Sequence, residues 1–250
     1  MPYGMYISAA GAHVQSERMR VLANNLANVD TAGFKRELAV FQARAAEAIE
    51  RGDDTPASRS INNVGGGVQL QETVTDYSPG TFRQTGNPTD MAIPGEGYFL
   101  VERDGRQLLT RAGNFHFSVD GRLVTDQDLP VLGTDTKPIV IDPRGSWQLT
   151  ESGAIVQGGN RYYLALVQPQ STGDLAKAGG NLFSPLADVK PVALGKRRVV
   201  SGQLEQSTVV PSREMMELIE TSRAFEANVR MIQNHDQMLG SLVNRVLRVA

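Results

Sequence analysis

Residues 211–250 read PSREMMELIETSRAFEANVRMIQNHDQMLGSLVNRVLRVA, and their spacing decides what kind of chain this is. Met215, Leu218, Ser222, Phe225, Val229, Ile232, Asp236, Leu239, Val243 and Val246 follow one another by threes and fours, and all but Ser222 and Asp236 are apolar. A four–three rhythm held this long predicts a coiled-coil-like helix. Pro211 suits the first helical turn, where its missing N–H costs nothing, and Glu214 sits where the positive end of the helix dipole favours an acid. Glu226 and Arg230 add a pair four residues apart in the better orientation. At 1.5 Å per residue the helix runs about 55 Å, longer than a small β domain is wide. Much of its apolar stripe must therefore pack on something other than such a domain.

A second helix is predicted at the other end, from Gly4 to about Asn28. Met5, Ala9, Ala12, Ser16, Met19, Ala23 and Leu26 make one seam, and Ile7, Val14 and Val21 a second stripe seven apart. Small residues dominate the first seam, so a neighbouring helix can come close while little area is buried. Neither helix is expected to be stable alone. The first ends in NNLANVDTAGFKRE (24–37), a corner rich in turn formers, with Asn25 and Asn28 as capping amides, Thr31 in the turn, Gly33 at a positive φ and Phe34 as an apolar anchor.

Between the two helices the pattern changes. Residues 37–74 are expected to be a long connection with extended pieces. Within it VFQARAAEAIER (40–51) has helical composition, whereas GDDTPASRSINNVGGGVQ (52–69) is loop-like. From about 75 to 202 short apolar runs alternate with turns: GYFLV (97–101) before Asp104-Gly105, FHFSV (115–119) before Asp120-Gly121, WQLT (147–150) before Ser152-Gly153, and RYYLALV (161–167) after Gly158-Gly159. Such pairs between alternating runs signal hairpins, because the favoured two-residue turns need positive φ. The expected fold class is α+β. Residues 1–36 and 203–250 form a helical domain for assembly, 37–74 an extended connection and 75–202 a central all-β domain.

Composition adds exclusions. The chain has 250 residues, 40% hydrophobic and 21% charged, with 25 basic against 27 acidic side chains. A formal charge of −2 gives no global field for nucleic acid. No apolar run approaches the length of a membrane span, so membrane insertion is not expected. No Sec-type signal peptide is expected either: the first basic residue is Arg18, and Gly11, His13, Gln15 and Ser16 interrupt any apolar core. Cysteine is absent, which excludes disulfides and thiolate metal sites. His13, His116 and His235 fall on three different elements without ligand spacing, no serine lies in a nucleophile elbow, and the glycines at 65–67 lack the Lys-Ser/Thr of a phosphate loop. The basic run Lys196-Arg197-Arg198 reads as a strand end kept soluble. No catalytic residue, cofactor site or metal site is assigned.

At this point three stretches become recognisable. ANNLANVDTAGFKRE (23–37) resembles the N-terminal signature shared by the flagellar rod and hook proteins of bacteria. TGNPTDMAIPGEGYFLV (85–101), LTRAGNFHFSVDGRLVT (109–125) and PVLG (130–133) follow that family's pattern in order, and SGQLEQSTVVPSREMMELIETSRAFEANVRMI (201–232) is similar to its C-terminal helix entry. The resemblance spans nearly the whole chain and is weakest over 45–72. Leu109 stands where an aromatic is common, Ser207-Thr208 replaces Ser-Asn, and Asp126-Gln127-Asp128 replaces a turn that often carries glycine.

The resemblance implies an axial structural protein without catalytic activity, whose terminal helices pair in the innermost layer of a hollow helical tube surrounded by the β domain. Its implied partners are copies of itself, other rod and hook proteins, and the flagellar type III export machinery, which would carry it into the periplasmic basal body without a cleaved signal. A chain of this length with one modest β domain resembles a rod protein more than a hook subunit. Phe225-Glu226-Ala227-Asn228 and the residues up to Met238 look closer to the proximal rod, although the long 37–74 connection is reminiscent of the distal rod. The assembly interface expected on this reading comprises Met5, Met19, Leu26, Met215, Leu218, Phe225, Val229, Ile232, Leu239 and Val243. The alternative is a soluble β-domain interaction module carrying a self-contained helical hairpin.

Overall fold

The computed structural model describes residues 3–45, 49, 51, 52, 55 and 65–249, and the chain divides into two compact units. The first is built from Met1–Ala27, Glu37–Asp76 and Val210–Ala250, the second from Asn28–Arg36 and Tyr77–Val209. The division differs from the expected one in three places: 28–36 and 203–209 go with the β unit, and 37–76, expected as a separate connection up to 74, goes with the helices. The corner 28–36 belongs with the β unit because its backbone bonds there: Gly33 N donates to Glu205 O at 2.7 Å and Thr208 N to Phe34 O at 3.0 Å.

The helical unit contains α1 (Tyr3–Ala27), β1 (Glu37–Ala43), β2 (Val68–Thr75) and α2 (Pro211–Val249). α1 packs along α2, and β1 and β2 form an antiparallel ribbon beside α1. The ribbon runs in register from Glu37 opposite Thr75 to Ala43 opposite Val68, with an irregularity between Val40 and Phe41. It corrects the helical reading of 40–51 at its start. Val40 and Phe41 are side chains that fit a pleated strand, and pairing with Glu72 and Leu70 overrides the alanine-rich composition around them. The rest of that stretch, at 46–48 and 50, lies outside the described residues, as does most of the loop-like segment after it.

The β unit contains β3 (Phe82–Gln84), β4 (Met91–Ala92), β5 (Tyr98–Arg103), β6 (Arg106–Thr110), β7 (Phe115–Phe117), β8 (Leu123–Thr125), β9 (Trp147–Leu149), β10 (Ala154–Gln157), β11 (Asn160–Tyr163), β12 (Leu166–Gln168), β13 (Leu175–Gly179), β14 (Leu182–Pro185), β15 (Lys190–Pro191), β16 (Val200–Ser201) and β17 (Gln203–Glu205). Six of these form one sheet in the order β13-β14-β6-β5-β12-β15. β5 is apolar at consecutive positions because both faces of this sheet are covered. Phe99 and Val101 enter one buried cluster with Met91, Phe115, Leu123 and Ile155, while Tyr98 and Leu100 enter another with Leu109, Leu132 and Phe183. Phe99 meets Phe115 edge to face at 5.0 Å.

The expected turns join strands in two sheets of this unit, the six-stranded one and a three-stranded one in the order β11-β10-β9. Asp104 (φ 52°) and Gly105 (φ 75°) join β5 to β6, and Gly158 (φ 57°) and Gly159 (φ 84°) join β10 to β11, the doubly left-handed turn that suits the twist of a hairpin. RYYLALV is not one strand, however. It breaks at Leu164-Ala165, where the chain leaves its pairing with β10 and joins β5. The basic run 196–198 lies in and after a 3-10 turn (Leu194–Lys196) that precedes β16, and Arg197 Nε donates to Val192 O at 2.9 Å.

Because Phe99 is fully buried between two strands, Phe99→Ala should leave a cavity and cost about 3–5 kcal/mol, read as a lower urea midpoint at unchanged slope.

Candidate assembly interface

In the helical unit α1 and α2 meet along positions spaced by heptads on α1. A Cβ on Gly4 would lie 2.9 Å from His235 Nε2, and one on Gly11 2.8 Å from Asn228 Oδ1. Arg18 Nη2 reaches Glu217 Oε2 at 3.4 Å, and Asn25 Nδ2 donates to Glu214 Oε2 at 3.1 Å. Moving up α1 thus moves down α2, so the helices are antiparallel, and glycine permits the two closest approaches. The seam is small and polar. Buried on α1, against α2 or the ribbon, are Ser8, Ala12, Val14, Val21, Leu22 and Asn25; buried on α2 are Glu214 and Thr221.

The apolar rhythm read from the sequence runs beside this seam. Met5, Met19 and Leu26 on α1 are half-buried, as are Leu218, Phe225, Val229 and Ile232 on α2. Met215 is 50% exposed, Leu239 36% and Val243 56%. Five further apolar side chains of α2 that sequence reasoning passed over are just as open: Met216 at 61%, Ile219, Met231 and Met238 at 53% and Leu242 at 58%. They fall off the four–three rhythm, and the signal that marked them was the doubling of apolar residues at 215–216, 218–219, 231–232, 238–239 and 242–243.

Asn25 is fully buried and holds β1 in place. Its Oδ1 accepts from Glu37 N and its Nδ2 donates to Glu37 O, both at 2.9 Å, so the side chain pairs with β1 as a neighbouring strand would. This is a different task from capping its own helix end. Asn24 Nδ2 adds a bond to Glu37 Oε2 at 3.1 Å.

In the β unit, Asn28 and Thr31 close the corner: Thr31 N and Thr31 Oγ1 each reach Asn28 at 3.2 Å, through its backbone carbonyl and its Oδ1. Gly33 has φ 65°, and a Cβ there would stand 2.5 Å from the backbone carbon of Arg111. Phe34 is buried, with Lys177 Nζ 4.4 Å above its ring.

Beside these residues lies a feature that the sequence reading did not single out. Glu205 accepts from Lys35 Nζ at 2.5 Å through Oε1 and from Arg111 Nη1 at 3.3 Å through Oε2; the side chains of Glu205, Lys35 and Arg111 are 1%, 1% and 9% exposed. Gly80 N also donates to Glu205 Oε1 at 3.0 Å, Lys35 Nζ to Ser78 O at 2.7 Å, and Arg111 to Ile93 O and Gly95 O at 3.1 and 2.7 Å. The Arg111 guanidinium stacks 5.0 Å from the centroid of Tyr98. Burial pushes the Tyr98 hydroxyl above its ordinary range, against the opposing pull of Arg111. The hint was present in GFKRE, LTRAGNF and GQLEQS, where these charged residues stand among small or apolar ones.

The histidines stay apart: His116 faces Asp128 at 3.5 Å, His235 lies against Gly4 and His13 is exposed. Among the described residues no three His, Asp or Glu side chains gather as a metal site, and no helix is long and apolar enough to cross a membrane.

Removing Glu205 strands two buried cations, so Glu205→Ala should destabilise the chain by about 3–5 kcal/mol in urea unfolding. Gly33→Val should also destabilise, since it adds left-handed strain of about 1–3 kcal/mol to the clash with Arg111; wild-type stability in that variant would refute the corner geometry.

The comparisons agree with one another along the chain. Residues 5–35 match the family model described as flagella basal body rod protein, 92–190 that of the flagellar hook protein FlgE/F/G D1 domain, and 200–245 that of the flagellar basal body rod FlgEFG protein C-terminal. The flagellar basal-body rod protein FlgF of Caulobacter vibrioides is 30% identical over 251 residues, covering 100% of both chains. The rod protein FlgG of Agrobacterium fabrum is 32% identical across 97% of this chain and 98% of its own, and that of Bacillus subtilis 29% across 96% and 97%. With a full-length relative and matches over both termini and the β unit, the chain belongs to the flagellar basal-body rod protein family, a family of structural proteins and not of enzymes.

Proposed function

We propose that the chain is a structural subunit of the flagellar basal-body rod that assembles with copies of itself and with other axial proteins through α1 and α2, as a length of hollow helical shaft. The observation that carries the reading is the apolar surface of α2. A helix of 39 residues that already pairs with α1 still leaves Met215, Met216, Ile219, Met231, Met238, Leu242 and Val243 open to water. Neighbouring subunits are the natural source of the missing cover, and coiled-coil-like packing is the mode that the four–three rhythm suits.

In the free subunit both helices are then loosely held and become fully ordered as neighbours arrive, so folding and assembly are coupled. A repeating, non-closing contact between copies produces a tube, where a two-fold contact would stop at a dimer. Export through the flagellar type III channel and a final position in the periplasmic part of the basal body belong to the same reading. The alignments with FlgF of Caulobacter vibrioides and with FlgG of Bacillus subtilis and Agrobacterium fabrum all cover nearly the whole chain, and the stretch from Phe225 to Met238, which resembles the proximal rod, supports that part of the rod as this subunit's place.

The competing reading, a soluble module with a self-contained helical hairpin, is favoured by one observation: α1 and α2 already pair within the chain. Two measurements separate them. Phe225→Asp puts a charge on the half-buried stripe and should abolish incorporation into basal bodies and motility, with the β unit still folded; normal motility would refute the proposal. Hydrogen exchange of the dilute chain should be fast over 4–28 and 211–248 and slow over 85–200, whereas equal protection would favour the soluble module.

A further inference from the structure

The sulfur of this chain is all in methionine, because there is no cysteine. Among the apolar side chains methionine is the one that a two-electron oxidant makes polar, where leucine, isoleucine or valine would be inert. The methionines are unevenly placed. Met91 is fully buried in the β core, and Met5 and Met19 on α1 are half-buried. Every exposed methionine among the described residues lies on α2: Met215, Met216, Met231 and Met238, each at least 50% exposed. They are half of the large apolar side chains that α2 exposes there, the others being Ile219, Leu239, Leu242 and Val243.

On a helix of about 100° per residue Met216, Met231 and Met238 fall within about 60° of one another, and at 1.5 Å per residue they span about 33 Å. A contact laid along that side of α2 meets sulfur at both ends. Hydrogen peroxide reacts with such a thioether directly. The sulfur lone pair attacks one peroxide oxygen, the O–O bond breaks as the S–O bond forms, and the proton on the transferred oxygen passes to the departing hydroxide. The products are methionine sulfoxide and water, with sulfur oxidised by two electrons and peroxide reduced by the same two. The side chain that results is polar and no longer suits an apolar contact. Burying one such group without a hydrogen-bond donor weakens a contact by roughly tenfold.

We infer that Met215, Met216, Met231 and Met238 form an oxidative modification site, through which peroxide bars the free subunit from assembly while a subunit already covered by its neighbours is spared. This rests on the rod-subunit reading and adds to it the chemical state of α2 that assembly requires. The β unit takes no part, since its one methionine is out of reach.

Two measurements test the site and its consequence. In the purified chain treated with dilute hydrogen peroxide, mass spectrometry of proteolytic peptides should show the four α2 methionines gaining oxygen first, Met5 and Met19 later, and Met91 only after unfolding in urea. Oxidation of Met91 in the folded chain as fast as the four would overturn the site. For the consequence, cells make the wild-type chain together with a variant carrying Met215→Leu, Met216→Leu, Met231→Leu and Met238→Leu, changes that keep volume and hydrophobicity and remove the sulfur. Both forms are induced only during peroxide exposure, so other damage to the flagellum falls on them equally. Relative to untreated cells, the ratio of variant to wild type in purified basal bodies should rise by about tenfold or more, while the soluble pool keeps its ratio and holds wild-type chain oxidised at the four positions. An unchanged ratio in the basal bodies, with that soluble pool oxidised, would overturn the block and leave the rod reading in place. Absence of both forms from the basal bodies of untreated cells would remove the rod reading and the inference together.

Discussion

Glu205 cannot be buried alone. A carboxylate that is 1% exposed needs compensation, and here it comes from Lys35, near the start of the chain, and from Arg111 between the two, with Gly80 N as a further donor. The consequence is structural more than energetic. A buried ion cluster recovers little beyond the cost of desolvating its members, but it tolerates only one arrangement of the segments that supply them. The corner carrying Lys35, the strand end carrying Arg111 and β17 carrying Glu205 are thereby held to one geometry. Gly33 shares in it: its N–H bonds the Glu205 carbonyl, and its bare Cα is what lets the Arg111 backbone come so near.

The helical unit obeys a different constraint. Its helices approach closely at Gly4 and Gly11, and further along the seam the contacts are polar: Arg18 with Glu217, Asn25 with Glu214. Polar groups at seam positions cost stability and fix register, because a slip of one turn would leave Asn25 and Glu214 buried without each other. The register in turn determines which side of α2 remains free. Had the seam been the apolar stripe itself, the hairpin would have consumed the surface that distinguishes this helix.

Much of this was legible in the sequence. Helix ends, the α+β class and the turns at Asp104-Gly105 and Gly158-Gly159 follow from periodicity and from residues that accept positive φ, both of which are local properties. What was not legible required partners far away in the chain. VFQA became a strand because Val68–Thr75 pairs with it, and RYYLALV divided because its halves join different strands. On α1, periodicity named an apolar stripe through Met5, Met19 and Leu26, whereas the groups that touch α2 are Gly4, Gly11, Arg18 and Asn25. Hydrophobic spacing identifies faces that avoid water; it does not say which of two faces pairs inside the chain. The buried charges were invisible for a related reason, since Lys35, Arg111 and Glu205 each look like solvated residues until the fold brings them together.

The two units therefore divide specificity and cohesion in opposite ways. In the β unit most of the apolar side chains are used internally, although Val119 and Leu186 stay exposed: Phe99, Phe115, Leu123 and Ile155 are buried, and the polar cluster selects one arrangement around them. In the helical unit Asn25, Glu214 and Thr221 are buried along with Val14, Val21 and Leu22, and many of the apolar side chains of α2 are left outside. A protein that functions alone has little reason to keep the second arrangement, because exposed Met, Ile and Leu on a long helix invite unwanted association. A subunit of a continuous structure has a strong one. Its β unit has a core of its own, while the surface of α2 keeps Met215, Met216, Ile219, Leu242 and Val243 exposed, so that on the assembly proposed above the favourable free energy of covering α2 comes from neighbouring subunits and not from the chain itself.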